Sequence, residues 1–274
     1  MRDLGAWAGL DRAARDAAYD NNAAVPDVAR WREARDSASA EWRGARPAKL
    51  DLAYGLAERN RWDLFPAEAP GAPCLVFIHG GYWQRNRRED FACMAQGVAA
   101  RGWSAAILGY TLAPQATLTQ IVAETHAALD WLKAEGARHG IAGPLVLSGW
   151  SAGAHLAVMA LDHPAVTAGL AISGVYDLGP IRDTGLNDAL SLTDAEVMAL
   201  SPLKLPPTPK PLVIVHGARE LARLVEDSRD LHALRLEARA PSTLLAIPEA
   251  DHFSILDHLQ RPDGALVQAL ERAI

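Results

Sequence analysis

The sequence predicts an α/β protein with a mainly parallel central sheet of about eight strands and helices on both faces. From residue 50 onward, apolar strand-like runs alternate with helix-like stretches, which is typical of parallel strands joined by crossover helices. Half of the 274 residues are hydrophobic, enough to bury one large core, and no linker-like segment divides the chain. We therefore expect one α/β domain over 47–274, preceded by an N-terminal helical extension over 1–46 that packs on the core.

The expected elements follow one another in a regular order along the α/β domain. A short antiparallel pair is predicted at "LDLAYG" and "RWDLFPA", and buried strands follow at "PCLVFIHGG", "WSAAILGY", "PLVLSGW", "GLAISGVYD", "PLVIVHG" and "STLLAIP". Helices are expected around 87–101, 117–139, from 152, 193–200, 221–239 and 264–274. The proline cluster at 202–211 predicts a loop, because proline has no NH to donate to a helix or a sheet.

The extension is rich in Ala, Arg and Asp and carries Trp7, Trp31 and Trp42 in a mostly helical pattern. Its "NNAAVPD" stretch at 21–27 breaks that pattern, which predicts two helices joined by a turn. Such a segment either packs on the domain as simple support or forms a flap over a site. The pattern leaves both interpretations open.

Composition and charge narrow the class of partner. The net charge of −6 comes from interspersed acids and bases, which does not resemble a nucleic-acid surface. No run approaches the roughly 18 apolar residues of a membrane span, and the first residues carry charges where a signal peptide has an apolar core, so we expect a cytoplasmic protein. Cys74 and Cys93 lack metal-ligand spacing and are expected to be reduced, buried thiols. We expect a small-molecule substrate, no cofactor, no metal, no nucleic acid and no membrane partner; a homodimer stays open.

A strand-to-helix turn carries the candidate nucleophile. Residues 149–153 match G-x-S-x-G, directly after a buried strand and before a helix-forming stretch, which is the context that this motif requires. The glycines leave room for a sharp turn that lifts the serine hydroxyl above the sheet. The alternative is an ordinary turn with an incidental serine. We predict that Ser151 is a nucleophile.

A glycine-rich loop, "FIHGGYW" at 77–83, follows an earlier buried strand. Acyl transfer places negative charge on the carbonyl oxygen, and backbone NH groups held in place by such a loop can stabilise it. The NH groups of Gly81 and Tyr82, with that of Ala152 after the nucleophile, are predicted to form an oxyanion hole. His79 in the same loop is more typical of a histidine that braces the backbone.

A serine hydroxyl needs a positioned imidazole to take its proton. We predict His252 in "PEADHFSILDHL", because it follows the last strand and lies late in the chain. His79 and His216 also lie at strand ends. His216 falls one strand earlier, where the carboxylate that orients the imidazole is expected.

Glu220, just past the seventh strand, is the predicted carboxylate, and the chain order serine, acid, histidine is one that serine hydrolases use. Asp227 in the next helix is the main rival, and the side chain of Asp251 is expected to point away from the adjacent His252. The alternative for Glu220 is a solvated acid that the helix dipole favours. The predicted triad is Ser151, Glu220 and His252.

At this point "HGGYW" at 79–83, "GWSAGAHL" at 149–156 and "DHFSIL" at 251–256 resemble the kynurenine formamidase (arylformamidase) branch of the α/β-hydrolase fold, which carries an H-G-G-x-W loop. "YDNNAAVPD" at 19–27 and "EDSRDL" at 226–231 extend the resemblance over nearly the whole chain.

The resemblance implies an eight-stranded α/β-hydrolase sheet and hydrolysis without a cofactor through the same three residues, although many members would show Asp where this chain has Glu220. It also implies cleavage of an aryl formamide such as N-formylkynurenine, in tryptophan catabolism, through an acyl-enzyme. The alternatives are a carboxylesterase for small aryl esters and, in another class, a ligand receptor that keeps the fold without turnover.

Large flat side chains flank the motif residues. We expect Tyr82, Trp83, Trp150 and Phe253 to line a pocket for an aryl group, although such clusters also serve as plain core packing. Trp83 is the one that could instead anchor the oxyanion loop. His155, one helical turn after Ser151, is expected to be a buried histidine bonded to a backbone group.

Overall fold

An eight-stranded sheet forms the centre of the protein, in a computed structural model that describes residues 7–45 and 47–272. The strand order is β1-β2-β4-β3-β5-β6-β7-β8. The strands are β1 Lys49–Ala53, β2 Arg61–Phe65, β3 Cys74–Ile78, β4 Ser104–Leu108, β5 Leu145–Trp150, β6 Val166–Ile172, β7 Leu212–Gly217 and β8 Ser242–Ile247. The β1–β2 pair is antiparallel and the sheet is mainly parallel, as the sequence predicts; the β2–β4 pair is also antiparallel, which the sequence pattern does not specify.

Helices connect the strands and cover both faces of the sheet. In chain order they are α1 Arg12–Ala17, α2 Asn21–Ala24, α3 Val28–Ala45, α4 Gln96–Ala99, α5 Leu118–Glu135, α6 Ala152–Met159, α7 Leu178–Arg182, α8 Asn187–Leu190, α9 Asp194–Leu200, α10 Ala222–Glu237, α11 Asp257–Gln260 and α12 Ala265–Glu271. Helix α5 begins with a capping box, in which Thr117 and Gln120 satisfy each other's backbone NH groups.

Three short segments are 3₁₀-helical where the sequence predicts another form. The helix expected around 87–101 is 3₁₀ over Arg88–Ala95 and α-helical only over α4, and the end of the helix expected to reach 139 is 3₁₀ over Gly136–His139. The proline cluster holds a single 3₁₀ turn at Pro202–Lys204 and is otherwise a loop. Hydrophobic periodicity cannot separate these tighter turns from α-helix over so few residues.

Alternate residues of β3 pack into two cores on opposite faces, because successive side chains of a strand point to opposite sides. Cys74, Val76 and Ile78 join the core that α5, α6 and α10 cover, whereas Leu75 and Phe77 join the core under α3, α12 and the Arg88–Ala95 segment. Every residue of β3 is buried, which explains its uninterrupted apolar run.

Residues 7–45 lie against the domain. Ser39 Oγ donates a hydrogen bond to the Asp90 carbonyl (2.8 Å), and Arg43 pairs with the fully buried Asp63 (3.1 Å). The break at 21–27 exists, but it contains the short helix α2, whose NH groups the Asp20 side chain caps. The segment therefore has α1, α2 and α3 rather than the expected two helices, since a capping carboxylate can start a helical turn before Pro26 stops it.

Both cysteines are buried free thiols, as predicted. Burial raises the pKa of Cys93 to about 11 and raises the pKa of Cys74 further. Within residues 7–45 and 47–272, none of the helices has the length and apolar character that a membrane span requires.

Candidate active site

The turn between β5 and α6 holds Ser151 in a strained backbone conformation, with φ of 56° and ψ of −120°. A Cβ on Gly149 would lie 2.1 Å from the Gly153 carbonyl oxygen, and one on Gly153 would lie 2.0 Å from the Ile78 carbonyl oxygen. Only glycine fits at either position, so the two glycines permit the sharp turn. A non-glycine residue held in this region of φ and ψ costs about 1–3 kcal/mol and is typical of functional sites.

The glycine-rich loop after β3 passes directly over this turn. A Cβ on Gly80 would lie 2.6 Å from the Trp150 carbonyl oxygen and 2.8 Å from Ser151 Cβ. Gly81 and Tyr82 both have positive φ, 114° and 52°. Within the part of the chain that the structure describes, their NH groups have no hydrogen-bond acceptor. Two backbone donors are thus left over beside the serine, which suits the stabilisation of an oxyanion.

The third NH group of the predicted oxyanion hole belongs to Ala152, the first residue of α6. The first NH groups of an α-helix have no partner inside the helix, and they carry the positive end of the helix dipole. This NH is therefore also suited to bind developing negative charge.

Glu220 is the carboxylate that contacts His252, with 3.4 Å between Glu220 Oε2 and His252 Nδ1. The Glu220 side chain is fully buried. Its other oxygen, Oε1, accepts hydrogen bonds from Ser173 Oγ and from the Gly217 NH, both at 2.6 Å. These donors hold the carboxylate in one orientation and leave Oε2 facing the imidazole. Distances between catalytic groups are often this long before substrate binds.

The two rival carboxylates serve local structure. The fully buried Asp227 accepts hydrogen bonds from the NH groups of Tyr176 and Asp177, which fixes the loop after β6. Asp251 accepts hydrogen bonds from the NH groups of Phe253 and Ser254, both at 2.9 Å, and so forms the turn that presents His252.

Ser173 is a residue of the site that sequence reasoning missed. It follows β6 in "ISGV", is fully buried and has a φ of 54°. Its distance from Glu220 along the chain leaves no local signal of the contact. A serine directly after a central parallel strand was the only available hint, because active-site groups lie at the carboxyl ends of such strands.

Ser151 and His252 line one cavity of about 350 Å³, and both are nearly fully buried (2% and 3% exposed). Gly81, Tyr82, Trp150 and Phe253 line it as well. The structure therefore brings the predicted nucleophile, the predicted base and part of the oxyanion loop to the same space.

Trp83 is the exception among the predicted substrate-binding aromatics. It is fully buried, does not line the cavity, and packs edge-on against His155 with ring centroids 5.0 Å apart. We therefore correct its assignment from substrate binding to anchoring the oxyanion loop. The successive positive φ angles of Tyr82 and Trp83 turn the tryptophan into the core while leaving Tyr82 at the cavity.

Trp150 contacts both the cavity and the predicted base. Its Nε1–H donates a hydrogen bond to the His252 carbonyl (2.8 Å), and the two ring centroids lie 4.8 Å apart. Phe253 packs edge-on against Trp150 and His252. The aromatic wall thus also restricts the position of the imidazole.

The other histidines of the motifs are bonded to backbone carbonyls. His79 Nδ1 donates to the Gly80 carbonyl (2.9 Å) while its ring stacks on Tyr110, and burial lowers its pKa to about 3. His155 Nε2 donates to the Leu200 carbonyl (2.7 Å), and burial lowers its pKa to about 4. His216 bonds the Gly217 carbonyl in the same way (3.0 Å). All three support the backbone.

We expect His155 to make stability depend on pH. Its pKa falls from 6.5 when unfolded to about 4 when folded, so its contribution is fully present above about pH 6.5 and is lost as pH falls towards 4. The loss reaches about 1.4 kcal/mol per pH unit. His155→Gln removes the titration and can keep the bond to Leu200, so the free energy of unfolding in urea should vary less between pH 7 and pH 5. A variant with an unchanged slope would contradict this.

The N-terminal segment forms one wall of the cavity. Tyr82 Oη donates a hydrogen bond to the Tyr19 carbonyl (2.7 Å) and accepts one from Asn21 Nδ2 (3.0 Å). The segment's lining residues are Asp16, Tyr19, Asp20, Asn21, Asn22, Arg32 and Arg35. Of the two interpretations that the sequence left open, the structure thus places this segment at the site.

Among the described residues, no group of three His, Cys, Asp or Glu side chains is arranged to hold a metal ion. In the described part of the chain, one cavity is lined by a serine and an imidazole, a buried carboxylate contacts the imidazole, and the NH groups of Gly81 and Tyr82 have no acceptor. Together with the strand order and the sharp turn after β5, this defines a protein of the α/β-hydrolase fold.

Comparison with known proteins makes the class more specific. The BD-FAE family model matches residues 64–166, a range that includes the oxyanion loop and Ser151. A kynurenine formamidase of Salmo salar is 29% identical over 245 residues, 83% of this chain and 82% of that protein. A kynurenine formamidase of Danio rerio is 26% identical over 241 residues, 82% of this chain and 81% of that protein.

A solved structure, a candidate thioesterase from Silicibacter sp. tm1040, matches with a TM-score of 0.84 at 26% identity, covering 93% of this chain and 98% of that one. The predicted resemblance to kynurenine formamidases is confirmed, and the chain is a hydrolase of the α/β-hydrolase fold.

Proposed function

We propose that the protein is a serine hydrolase that cleaves an aryl formamide, such as N-formylkynurenine, through an acyl-enzyme on Ser151. The observation that carries the proposal is the shared cavity of Ser151 and His252, with Glu220 against the imidazole and the glycine loop over the serine. The similarity to kynurenine formamidases supports the substrate class.

In the first half of the reaction, neutral His252 takes the proton of Ser151 Oγ as that oxygen attacks the formyl carbon. The NH groups of Gly81, Tyr82 and Ala152 stabilise the negative charge on the former carbonyl oxygen. His252 then gives its proton to the aryl nitrogen as the carbon–nitrogen bond breaks. The aryl amine leaves, and the formyl group stays on Ser151.

In the second half, His252 takes a proton from water, whose oxygen attacks the formyl ester. Ser151 recovers its proton from the imidazolium, and formate leaves. Glu220 stabilises the imidazolium in both halves, and its hydrogen bonds from Ser173 and Gly217 keep Oε2 towards the ring.

The cavity suits a small acyl group on a flat leaving group. A formyl group has one carbon and needs little space at Ser151, while Tyr82, Trp150 and Phe253 offer aromatic surface to the aryl amine. A carboxylesterase for small aryl esters is the second candidate. Its support is the likeness to a candidate thioesterase and the lower chemical barrier of ester cleavage.

The two buried free cysteines fit a reducing compartment, and we propose a cytoplasmic location.

A side-by-side rate comparison tests the substrate. We expect kcat/KM for N-formylkynurenine to exceed that for p-nitrophenyl acetate and for alkyl esters, measured by release of the aryl amine or phenol. Efficient ester cleavage with no activity on any aryl formamide would make the protein a carboxylesterase. Labelling of Ser151 by a fluorophosphonate without turnover of any of these substrates would favour a ligand receptor.

A further inference from the structure

Two arginines on the solvent side of the cavity have no acidic partner within residues 7–45 and 47–272. Arg32 of α3 and Arg85 of the loop after Tyr82 both line the cavity, and both are exposed. Neither forms an ion pair with any described residue, whereas Arg35, beside them in the same wall, pairs with Asp36 (2.7 Å). The protein as a whole carries a net charge of −6, so a positive lining here is a local feature.

Each arginine contacts a residue that belongs to the site or packs against the predicted base. The Arg32 guanidinium carbon is 5.8 Å from the Phe253 ring centroid, and Phe253 packs on the His252 ring with centroids 5.6 Å apart. The backbone NH of Arg85 donates a hydrogen bond to the Gly81 carbonyl (3.1 Å). Ser151, His252 and both arginines line the same cavity, so a substrate with its scissile bond at Ser151 shares that cavity with these side chains.

The acidic residues of the N-terminal segment that line the cavity accept hydrogen bonds from backbone NH groups. Asp16 accepts a hydrogen bond from the Gly185 NH (2.7 Å) and lies 4.0 Å from Arg12, and Asp20 caps α2. Within residues 7–45 and 47–272, the hydrogen bond that Arg32 donates goes to the neutral Asn22 Oδ1 (2.6 Å). The guanidinium charges of Arg32 and Arg85 thus stay available to a ligand.

Asn21 adds a polar group that is more than nine-tenths buried. Its Nδ2 donates to Tyr82 Oη (3.0 Å), but its Oδ1 has no donor among the described residues, although the residue lines the cavity. A buried acceptor without a donor costs about 1–3 kcal/mol. A ligand NH or ammonium group that reaches Oδ1 would remove that cost.

We propose that Arg32, Arg85 and Asn21 form a subsite for a charged head group on the leaving-group side of the substrate. The arginines bind a carboxylate, which suits the planar fork of a guanidinium, and Asn21 Oδ1 accepts a hydrogen bond from an adjacent NH or ammonium group. This inference rests on the proposed formamidase function and assigns recognition of the charged head group to these three residues.

A matched pair of substrates tests the subsite. N-formylkynurenine carries the carboxylate, and its carboxamide is neutral at the same position. Arg32→Gln and Arg85→Gln should each lower kcat/KM for the carboxylate by about tenfold, mainly through KM, and change the carboxamide rate by less than about twofold. Arg30→Gln, on the same helix but outside the cavity lining, is the control and should change neither rate. Equal effects on both substrates, or none, would overturn the subsite.

A binding measurement separates this subsite from the proposed function. If the wild-type enzyme cleaves neither formamide, the formamidase proposal fails, and the subsite is tested by calorimetry with kynurenine and its carboxamide. Kynurenine should bind the wild-type protein about ten times more tightly than the carboxamide, and Arg32→Gln should remove that preference. Equal affinities for the two compounds would overturn the subsite independently of turnover.

Discussion

Ser151→Ala should reduce turnover of N-formylkynurenine and of p-nitrophenyl acetate by about four orders of magnitude or more, because a triad acts as a unit. The variant keeps a Cβ at the strained position, so it adds no new backbone strain at a φ of 56°. Its melting temperature should therefore stay close to that of the wild-type protein. Steady-state rates and thermal unfolding of the same preparation provide the measurement.

Ser148→Ala is the matched control. Ser148 lies on β5, three positions before Ser151, is fully buried, and its Oγ has no hydrogen-bond partner among the described residues. Removing this hydroxyl should leave turnover within about twofold, because it costs no hydrogen bond. The nucleophile assignment fails if Ser151→Ala keeps more than about a tenth of wild-type activity, or if both variants lose activity equally.

The elements and the nucleophile turn could be predicted because their signals are local. The eight strands follow from apolar runs and turn residues, and Ser151 follows from two glycines whose Cβ positions are blocked by backbone atoms. The fate of Trp83 could not be predicted, because consecutive positive φ angles decide which of two adjacent aromatics reaches the cavity. The composition of the loop does not show that both residues adopt positive φ angles.

Contacts between distant parts of the chain account for what the sequence could not decide. Glu220 and Asp227 are seven positions apart, and both are acids near the start of α10. Their roles differ because Ser173 and Gly217 hold one carboxylate towards His252, while the NH groups of Tyr176 and Asp177 occupy the other. The cavity wall formed by residues 16–35 also depends on contacts between distant parts of the chain. Its hydrogen bonds with Tyr82 join residues that are about sixty positions apart.

Glu220→Gln should lower turnover by roughly two to four orders of magnitude, and the hydrogen bonds of the carboxylate explain why an isosteric change is so costly. Ser173 Oγ and the Gly217 NH both donate to Oε1, so the amide oxygen of the glutamine must take that place. The amide NH₂ then faces His252 Nδ1, which must become an acceptor. The imidazole proton moves to Nε2, where the ring can no longer accept the proton of Ser151.

Asp227→Asn separates this effect from simple loss of a buried carboxylate. Asp227 accepts hydrogen bonds from the NH groups of Tyr176 and Asp177, and Glu220 is the carboxylate that contacts His252, so Asp227→Asn should cost stability while changing kcat of the folded protein by less than about threefold. Melting temperature and kcat should therefore be measured on both variants. Glu220→Gln should mainly lower kcat, whereas Asp227→Asn should mainly lower the melting temperature. If Asp227→Asn instead abolishes turnover while Glu220→Gln stays active, the acid of the triad is Asp227, and the contact between Glu220 and His252 is structural.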